Sequence, residues 1–387
     1  MIRTALPRDC YAKWTEIDLD ALRHNLGLIQ TAVGAQVRVM GVVKANAYGH
    51  NVSLIAPALY AAGVRDFGVA TLGEAIYLRE VCPEAEQILI LSALAQTQYR
   101  QVIAEGFEFI VHTLSHIPLI DELAQATGCT ARVHLKVDTG MGRVGIMPAE
   151  VPAALSALER MQKLDLRGIC SHLACSDEPD SEFVRQQLQR FDAVKAAFEA
   201  HPLAQRFAPS FHIANSDAVF QYPESHCDLV RPGISLYGYC GLPTAKLPAP
   251  LKPVLALKAQ IAQFKQVPAG TPLGYGRSYV TTRPSRLAVI ALGYADGLNR
   301  LLSNVQEVLV DGNRYPLVGR ISMDQCVVDL TELPDWGEPG LKVVFIGQSG
   351  EQRITAQDWA DKLDTIPYEI LTSLGTRLPR YPIPVQP

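Results

Sequence analysis

Residues 42–50 read Val42-Val43-Lys44-Ala45-Asn46-Ala47-Tyr48-Gly49-His50 and place a lysine directly after a short apolar run. The apolar residues 39–43 predict a buried strand, and the asparagine and glycine residues behind it are typical of a turn that opens the next helix. Lys44 is therefore expected at the carboxyl end of a parallel strand, where α/β folds gather catalytic groups. Partial burial there disfavours the ammonium form, which suits Schiff-base chemistry. The alternative is a strand-end lysine whose ammonium group reaches solvent.

Seven more short apolar runs follow, most of them separated by helical patterns. They lie at residues 67–70, 88–91, 107–111, 133–137, 168–173, 210–213 and 229–231. Residues 73–80 and 183–198 are examples of the intervening helical stretches. Eight strands alternating with helices over roughly two hundred residues predict a (β/α)8 TIM barrel.

The alternation stops after residue 239, and the proline-rich segment 241–250 can sustain neither a helix nor a strand. Strand-like runs without intervening helical patterns follow, which predicts a mainly antiparallel β domain. We therefore expect the barrel over residues 14–243 and the β domain over residues 244–387. The alternating run near Ile17 has no place in the barrel, so residues before about 20 are expected to pair with the second domain.

Composition excludes several classes of protein. The net charge is −4 and no basic run occurs, which argues against a nucleic-acid partner. No apolar stretch reaches membrane-spanning length and the first residues lack the apolar core of a signal peptide, so a cytoplasmic protein without a membrane partner is expected. The eight cysteines lack metal-ligand spacing, so we expect most of them to be small buried residues and expect no metal site.

Polar side chains lie at or just past the ends of several predicted barrel strands. Because the carboxyl ends of parallel strands meet at one mouth, these side chains are expected to converge there. Buried charges without partners cost several kcal/mol, so packing alone explains them poorly. They are Lys44, Lys136, Asp138, Ser171, His172, His212, Asn215, Ser216 and Arg231.

The segment 230–234 resembles a phosphate cradle after the last barrel strand, because Gly233 lets backbone N–H groups approach an anion. Ser216, at the start of a short helix, is placed to donate to the same phosphate. Taken alone, such a segment is more often a simple turn. A lysine for an imine together with a phosphate cup indicates pyridoxal 5′-phosphate. A phosphosugar aldolase barrel has the same two features and stays open as an alternative.

Motifs in both predicted domains resemble those of the bacterial alanine racemases. They are V-V-K-A-N-A-Y-G-H, V-D-T-G-M-G-R-V-G, H-I-A-N-S, V-R-P-G-I, G-Y-G-R-S-Y, G-Y-A-D-G, V-G-R-I-S-M-D-Q and P-Y-E. They occur in the expected order between residues 14 and 380. The resemblance implies a barrel followed by a β domain, pyridoxal phosphate as cofactor, and a homodimer with shared active sites that racemises alanine to supply D-alanine for peptidoglycan.

The resemblance also implies roles for single residues. Lys44 forms the internal aldimine and is one proton-transfer base, and Tyr275 is the other base, acting on the cofactor of the partner subunit. The remaining roles are phosphate binding for Tyr48, Ser216, Gly233, Ile234 and Tyr368, a contact with the pyridine nitrogen for Arg231, substrate binding for Arg143 and Met323, and the entrance for Tyr294 and Asp324.

Racemisation needs two bases on opposite faces of a planar carbon. A phenol with an ordinary pKa of about 10 needs cationic or hydrogen-bonding neighbours to act as one of them at neutral pH. We therefore predict a chain from Tyr275 through His172 to Arg231. The alternative for His172 is a satisfied core histidine at a strand end. An arginine against the pyridine nitrogen keeps that nitrogen unprotonated and the ring a weaker electron sink.

Lys136 matches a lysine that carries a carbamate in many members of the family, where the carbamate positions the arginine that corresponds to Arg143. The alternative is a plain ion pair between Lys136 and Asp138. Two other functions remain open at this point. One is a racemase of the same architecture for serine or a broader set of amino acids. The other is a single-barrel, non-catalytic pyridoxal phosphate carrier, which would lack the second domain and Tyr275.

Overall fold

The computed structural model describes residues 10–334 and 341–383. Contacts within the chain divide it into two compact units. The barrel unit consists of Leu22–Ala47 and Val52–Lys252. Of the described residues, the sheet unit contains 10–21, Tyr48–Asn51, 253–334 and 341–383.

Strand β1 (Lys13–Asp18) and helix α1 (Leu19–Val33) precede the strands of the barrel. Eight parallel strands then form one sheet in the order β8-β7-β6-β5-β4-β3-β2-β9. They are β2 (Arg38–Val42), β3 (Asp66–Val69), β4 (Gln87–Ile90), β5 (Glu108–Val111), β6 (Ala131–Lys136), β7 (Leu164–Cys170), β8 (Ser210–His212) and β9 (Leu229–Val230). Next to β8 and β9, Asp228 N–H donates to the Phe211 carbonyl at 3.1 Å and Arg231 N–H donates to the Ala214 carbonyl at 3.0 Å. These bonds nearly close the barrel, and the predicted fold class is confirmed.

Seven further helices belong to the barrel unit. They are α2 (Val52–Ala61), α3 (Leu72–Val81), α4 (Gln96–Ala104), α5 (His116–Thr127), α6 (Val151–Glu159), α7 (Glu182–Glu199) and α8 (Ser216–Gln221). Helix α3 begins at a capping box, in which Thr71 Oγ1 accepts from Glu74 N–H and the Glu74 carboxylate accepts from Thr71 N–H. Helix α7 buries Val184, Leu188 and Phe191, whose spacing puts them on one face.

The sheet unit is built around a long central strand, β10 (Leu255–Val267), which pairs antiparallel with β1, β13 and β17. Its other strands are β11 (Pro272–Leu273), β12 (Tyr279–Val280), β13 (Ser285–Ile290), β14 (Glu307–Val310), β15 (Asn313–Pro316), β16 (Cys326–Asp329), β17 (Lys342–Ser349), β18 (Gln352–Ile354) and β19 (Arg380–Ile383). Strand β1 also pairs with β19, in parallel. The sheet is therefore mainly antiparallel.

Two helices of the sheet unit were not predicted, namely α9 (Ala356–Leu363) and α10 (Pro367–Ser373). Helix α9 begins at a capping box formed by Thr355 and Asp358, and it buries Trp359 completely. The spacing Thr-x-x-Asp ahead of a tryptophan is a helix-start signal, but it follows a series of strand-like runs that predicted only β structure for this domain. Across the described parts of the chain, no helix combines the length and the apolar character needed to cross a membrane.

Candidate active site

A left-handed turn follows Lys44. Ala45, Asn46, Ala47 and Tyr48 have φ values of 53°, 54°, 56° and 51°. L-residues other than glycine rarely enter this region, and several in succession store backbone strain. Asn46 Oδ1 accepts from Val52 N–H at 2.9 Å and thereby ties the turn to the start of α2. The strand end that carries Lys44 is thus held by a strained but anchored connection.

The electrostatic surroundings of Lys44 favour its neutral amine. The side chain is half-buried. Burial, followed by the positive charges of Arg143 and Arg231, lowers the pKa of Lys44, and Glu74 opposes them. The Glu74 carboxylate is itself fixed, because it accepts from Ala45 N–H at 2.7 Å and from Ala70 N–H at 2.8 Å. A neutral amine at this position can act as a nucleophile and as a base.

Arg231 is buried and held by several acceptors. Its Nη1 lies 2.6 Å from His212 Nδ1. Its Nη2 donates to the Ser171 carbonyl at 2.7 Å and to the Ile213 carbonyl at 3.2 Å. Burial lowers the pKa of Arg231, but a guanidinium stays protonated in proteins. The guanidinium is therefore a fixed cation that can only donate hydrogen bonds.

His172 lies beside Arg231, as the sequence predicted, but its contact with Arg231 is long. The distance from Arg231 Nη2 to His172 Nδ1 is 3.4 Å, beyond the usual range for such a bond. Burial and then the charge of Arg231 hold the pKa of His172 well below its usual value, so the ring is neutral. The shorter contact of Arg231 is with His212, to which the sequence assigned no role.

The end of β6 carries Lys136 and the loop that leads to Arg143. Burial lowers the pKa of Lys136 to about 8; Cys170 and Asp138 raise it, and two arginine charges lower it. The Asp138 carboxylate accepts from the backbone N–H groups of Gly140 at 2.9 Å and Arg143 at 2.9 Å. Within residues 10–334 and 341–383, no ion pair joins Lys136 to Asp138. The plain ion pair considered from the sequence is therefore not formed.

The predicted phosphate cradle, residues 230–234, lies next to Ser216, so three of the predicted phosphate-binding residues are close together. Ser216 begins α8, and its Oγ accepts from Gly233 N–H at 2.9 Å and from Ser235 N–H at 3.2 Å. Ile234 lies between these two donors and is buried. Ser235 Oγ is buried and has no hydrogen-bond partner among the described residues. Several small donors around one loop, one of them unpaired, suit an anion such as a phosphate.

The remaining predicted residues lie in the sheet unit, and several of them are exposed. Tyr275 is 70% exposed and Met323 is 52% exposed. A backbone hydrogen bond joins the motifs G-Y-A-D-G and V-G-R-I-S-M-D-Q, since Tyr294 N–H donates to the Ser322 carbonyl at 3.0 Å. The rings of Tyr48 and Tyr368 lie 5.9 Å apart, so these two predicted phosphate ligands are neighbours.

The predicted entrance residue Asp324 pairs with Arg377 at 2.7 Å. Arg377 also lies 3.5 Å from the carboxylate of Asp296, which is completely buried and pairs with Lys13 at 2.6 Å. Asp296 belongs to the motif G-Y-A-D-G, and its carboxylate accepts from Gly293 N–H at 3.0 Å. Asp296 therefore anchors the turn that carries Tyr294.

Sequence reasoning missed Asp296 and the buried residues His134 and Glu108. A signal for His134 was present, because Arg132, His134 and Lys136 alternate with apolar residues along β6. Alternate residues of a strand face the same side, so the interior-facing Lys136 indicates that His134 also points into the barrel.

Comparison with known protein families gives two matches in chain order. The family described as "Alanine racemase, N-terminal domain" matches residues 17–241. The family described as "Alanine racemase, C-terminal domain" matches residues 254–382. The motif resemblance seen in the sequence is thereby confirmed over both parts of the chain.

Curated relatives match over nearly the whole length. Alanine racemase 2 of Caldanaerobacter subterraneus subsp. tengcongensis is 40% identical over 366 residues, which cover 94% of this chain and 93% of the relative. The alanine racemase of Desulfosudis oleivorans is 39% identical over 382 residues, which cover 96% of each chain.

Solved structures match equally widely. An alanine racemase from a D-cycloserine producing Streptomyces lavendulae has a TM-score of 0.88 and 37% identity, and 99% of each chain is covered. The alanine racemase of Bartonella henselae with covalently bound pyridoxal phosphate has a TM-score of 0.86 and 36% identity, and 96% of this chain and 99% of that one are covered. Because both family matches and both kinds of relative agree over almost every residue, this chain belongs to the alanine racemase family.

Proposed function

We propose that this chain is a pyridoxal-phosphate-dependent alanine racemase that interconverts L-alanine and D-alanine. The observation that carries the proposal is the set of groups at the carboxyl ends of the barrel strands. A half-buried Lys44 with a lowered pKa, a buried Arg231 and the Ser216–Gly233 loop with its unpaired Ser235 hydroxyl all lie there. When bound, pyridoxal phosphate supplies an electron sink that makes the α-proton of an amino acid removable.

Each part of this site has a proposed task. Lys44 Nζ is the amine that holds the cofactor. Arg231 would donate to the pyridine nitrogen, and because a guanidinium has no acceptor for a hydrogen bond, that nitrogen would stay unprotonated. The phosphate is bound by Tyr48, Ser216, Gly233, Ile234 and Tyr368.

Proton transfer uses one base on each face of the substrate carbon. Lys44 serves one face and Tyr275 of the partner subunit serves the other. The neutral His172 accepts a hydrogen bond on one ring nitrogen and donates on the other, so it can link Tyr275 to Arg231. Arg143 and Met323 hold the substrate, Tyr294 and Asp324 line the entrance, and a carbamate on Lys136 positions Arg143.

We further propose that the enzyme is a cytoplasmic homodimer with shared active sites that supplies D-alanine for peptidoglycan. Large apolar side chains are exposed on the sheet unit that carries Tyr275, with Leu301 at 74%, Val305 at 54% and Met323 at 52%. Such a set is typical of an interface with another chain. All eight cysteines are free thiols, which suits a reducing compartment.

The test is to incubate the purified protein with L-alanine or L-serine in deuterated water. Chiral chromatography measures inversion, and NMR measures deuterium at the α-carbon. We expect fast inversion of L-alanine with solvent deuterium in the D-product, and much slower inversion of L-serine. The Lys44→Ala variant is the matched control and is expected to do neither. Faster inversion of L-serine would favour a serine racemase, and no inversion of either amino acid would refute the proposal.

A further inference from the structure

A chain of buried polar side chains crosses the interior of the barrel behind Arg231. His212 Nδ1 lies 2.6 Å from Arg231 Nη1, and His212 Nε2 lies 2.8 Å from His134 Nδ1. His134 Nε2 lies 2.9 Å from a carboxylate oxygen of Glu108. His212, His134 and Glu108 are 0%, 2% and 3% exposed. The chain therefore joins Arg231, just past β9, to Glu108, the first residue of β5, at the opposite end of the barrel strands.

The two ends of this chain fix the direction of every hydrogen bond in it. A guanidinium can only donate, so His212 Nδ1 must accept. The His212 proton is then on Nε2 and is donated to His134 Nδ1. The His134 proton is accordingly on Nε2 and is donated to Glu108, which as a carboxylate can only accept. A charged His134 does not fit, because its Nδ1–H would then meet the Nε2–H of His212.

The charge states of His212 and Glu108 agree with hydrogen bonds that run from Arg231, the donor, to Glu108, the final acceptor. Burial and then the charge of Arg231 hold the pKa of His212 well below its usual value. Burial raises the pKa of Glu108, but the hydrogen bond from His134 and the charge of Arg167 lower it overall. The outer Glu108 oxygen also faces Arg167 Nε at 3.4 Å. Glu108 is therefore an anion at the far end of the chain.

The backbone makes room for His134. The pairing of β6 with β7 shifts register, since Val133 lies opposite Leu166 but His134 lies opposite Gly168. Arg167 is thus an extra residue, and such bulges are rare between parallel strands. A Cβ added to Gly168 would lie 2.2 Å from His134 Nδ1. A bulge, a glycine and three buried polar groups coincide at one place, although each is unfavourable within a barrel.

We propose that Glu108, His134 and His212 are positioning residues that hold the guanidinium of Arg231 in a single pose toward the pyridine nitrogen of the cofactor. The carboxylate sets the ring tautomers, and the tautomers present the acceptor Nδ1 of His212 to Arg231. If the His212 tautomer were reversed, two donors would face each other in a buried site, and Arg231 would lose its shortest bond. This inference rests on the proposed function for the role of Arg231, but the tautomers can be measured without it.

The first experiment records nitrogen NMR spectra of the cofactor-free protein labelled with ¹⁵N-histidine. The protein has nine histidines, and the variants His134→Gln and His212→Gln serve only to assign two of the signals. We expect both rings of the wild-type protein to be neutral with the proton on Nε2. A proton on Nδ1, or a charged ring, at either position would overturn the inference. Failed racemisation with the expected tautomers would instead contradict the proposed function alone.

The second experiment compares Glu108→Gln with Glu108→Leu. Glutamine keeps an acceptor oxygen for His134 and should retain the tautomers, whereas leucine removes the acceptor. For Glu108→Leu we expect mixed His134 and His212 tautomers and a fall in kcat of about 10- to 100-fold, a size known for lost outer partners of metal sites. The KM for alanine should hardly change, because Arg143 is untouched. Unchanged kcat and tautomers in Glu108→Leu would refute the positioning role.

The third experiment disturbs the chain without removing a polar group. Gly168→Ala places a methyl group against the ring of His134, whereas Gly27→Ala adds one where no atom lies within 4 Å. We expect Gly168→Ala to shift the signals of both histidines and to lower kcat, and Gly27→Ala to do neither. Equal effects of the two substitutions would contradict the proposal.

Discussion

Lys136 presents a problem at the scale of single residues. Burial, and after it the positive charges of Arg231 and Arg143, lower the pKa of the Lys136 amine to about 8. Asp138, the ion-pair partner considered from the sequence, uses its carboxylate on the loop backbone instead. Burying an ammonium without a paired carboxylate is costly. A carbamate at Lys136 would convert this cost into an attraction, because it places an anion beside the two arginines.

We expect Lys136→Met to stabilise the protein in buffer free of CO₂. The pKa of about 8 lies below the ordinary value of 10.5, so the unfolded chain binds more protons between these two values. The loss of folding stability caused by the buried ammonium of Lys136 is therefore fully present below pH 8 and disappears as the pH approaches 10.5. At pH 7 it amounts to up to about 3 kcal/mol. Urea unfolding of wild type and variant across this pH range measures the difference.

Bicarbonate provides the control for the carbamate itself. It should raise the free energy of unfolding of the wild-type protein, because CO₂ reacts with the neutral amine of the folded state. Lys136→Met, which has no amine there, should not respond. If bicarbonate acts equally on both proteins, or on neither, Lys136 carries no carbamate.

Residue roles could be predicted from the sequence only where a motif carried them. Arg231 is buried beside His172, a proximity that the need for a cationic neighbour of Tyr275 predicted, whereas the roles of both residues stay predictions. His134 and Glu108 were not predicted, because the sequence does not show that two polar residues on different strands belong to one buried chain of hydrogen bonds. Their partnership depends on the register of β5, β6 and β7 and on the bulge at Arg167.

At the scale of elements, the turn after Lys44 departs furthest from what the local sequence favours. Ala45 and Ala47 are good formers of right-handed helix, yet both are left-handed here. Surrounding structure therefore overrides local preference, with Asn46 anchored to Val52 N–H as one visible restraint. Helix starts such as Thr71 follow ordinary capping rules and were predictable. A left-handed run of non-glycine residues has no sequence signal.

The strain in this turn predicts an unusual sign for a glycine substitution. Ala45 is exposed, so Ala45→Gly removes no packing. Glycine enters the left-handed region freely, whereas alanine there costs about 1–2 kcal/mol. We expect Ala45→Gly to leave the thermal midpoint unchanged or to raise it, and differential scanning fluorimetry measures this.

The matched control is Ala153→Gly, at an exposed position of the right-handed helix α6. This change should cost about 1 kcal/mol and lower the midpoint, because glycine is a poor residue within a helix. If both substitutions lower the midpoint equally, the turn at Ala45 carries no strain.

At the scale of the whole molecule, the barrel was predictable because short apolar runs typical of strands alternate with helical patterns along the sequence. The pairing of β1 with β10 followed from a strand left without a place in the barrel. The helices α9 and α10 were missed because both are short and follow a series of strands. The motif resemblance implied a dimer with shared active sites, but it gave no measure of exposure, and Tyr275 is 70% exposed. This exposure supports the proposal that Tyr275 acts in a site completed by a second chain.

The proposed sharing of active sites between subunits predicts that two inactive variants restore activity when their subunits mix. Lys44→Ala lacks one base and Tyr275→Phe lacks the other, so each homodimer should be nearly inactive. In a mixed dimer, one site combines the intact Lys44 of one chain with the intact Tyr275 of its partner, and the other site lacks both. Random exchange of equal amounts makes half of the dimers mixed, so activity should recover to about a quarter of wild type. Racemisation assays after unfolding and refolding the two variants together measure this recovery. The same treatment of each variant alone should give none, and if the mixture also recovers none, both bases of each site belong to one chain.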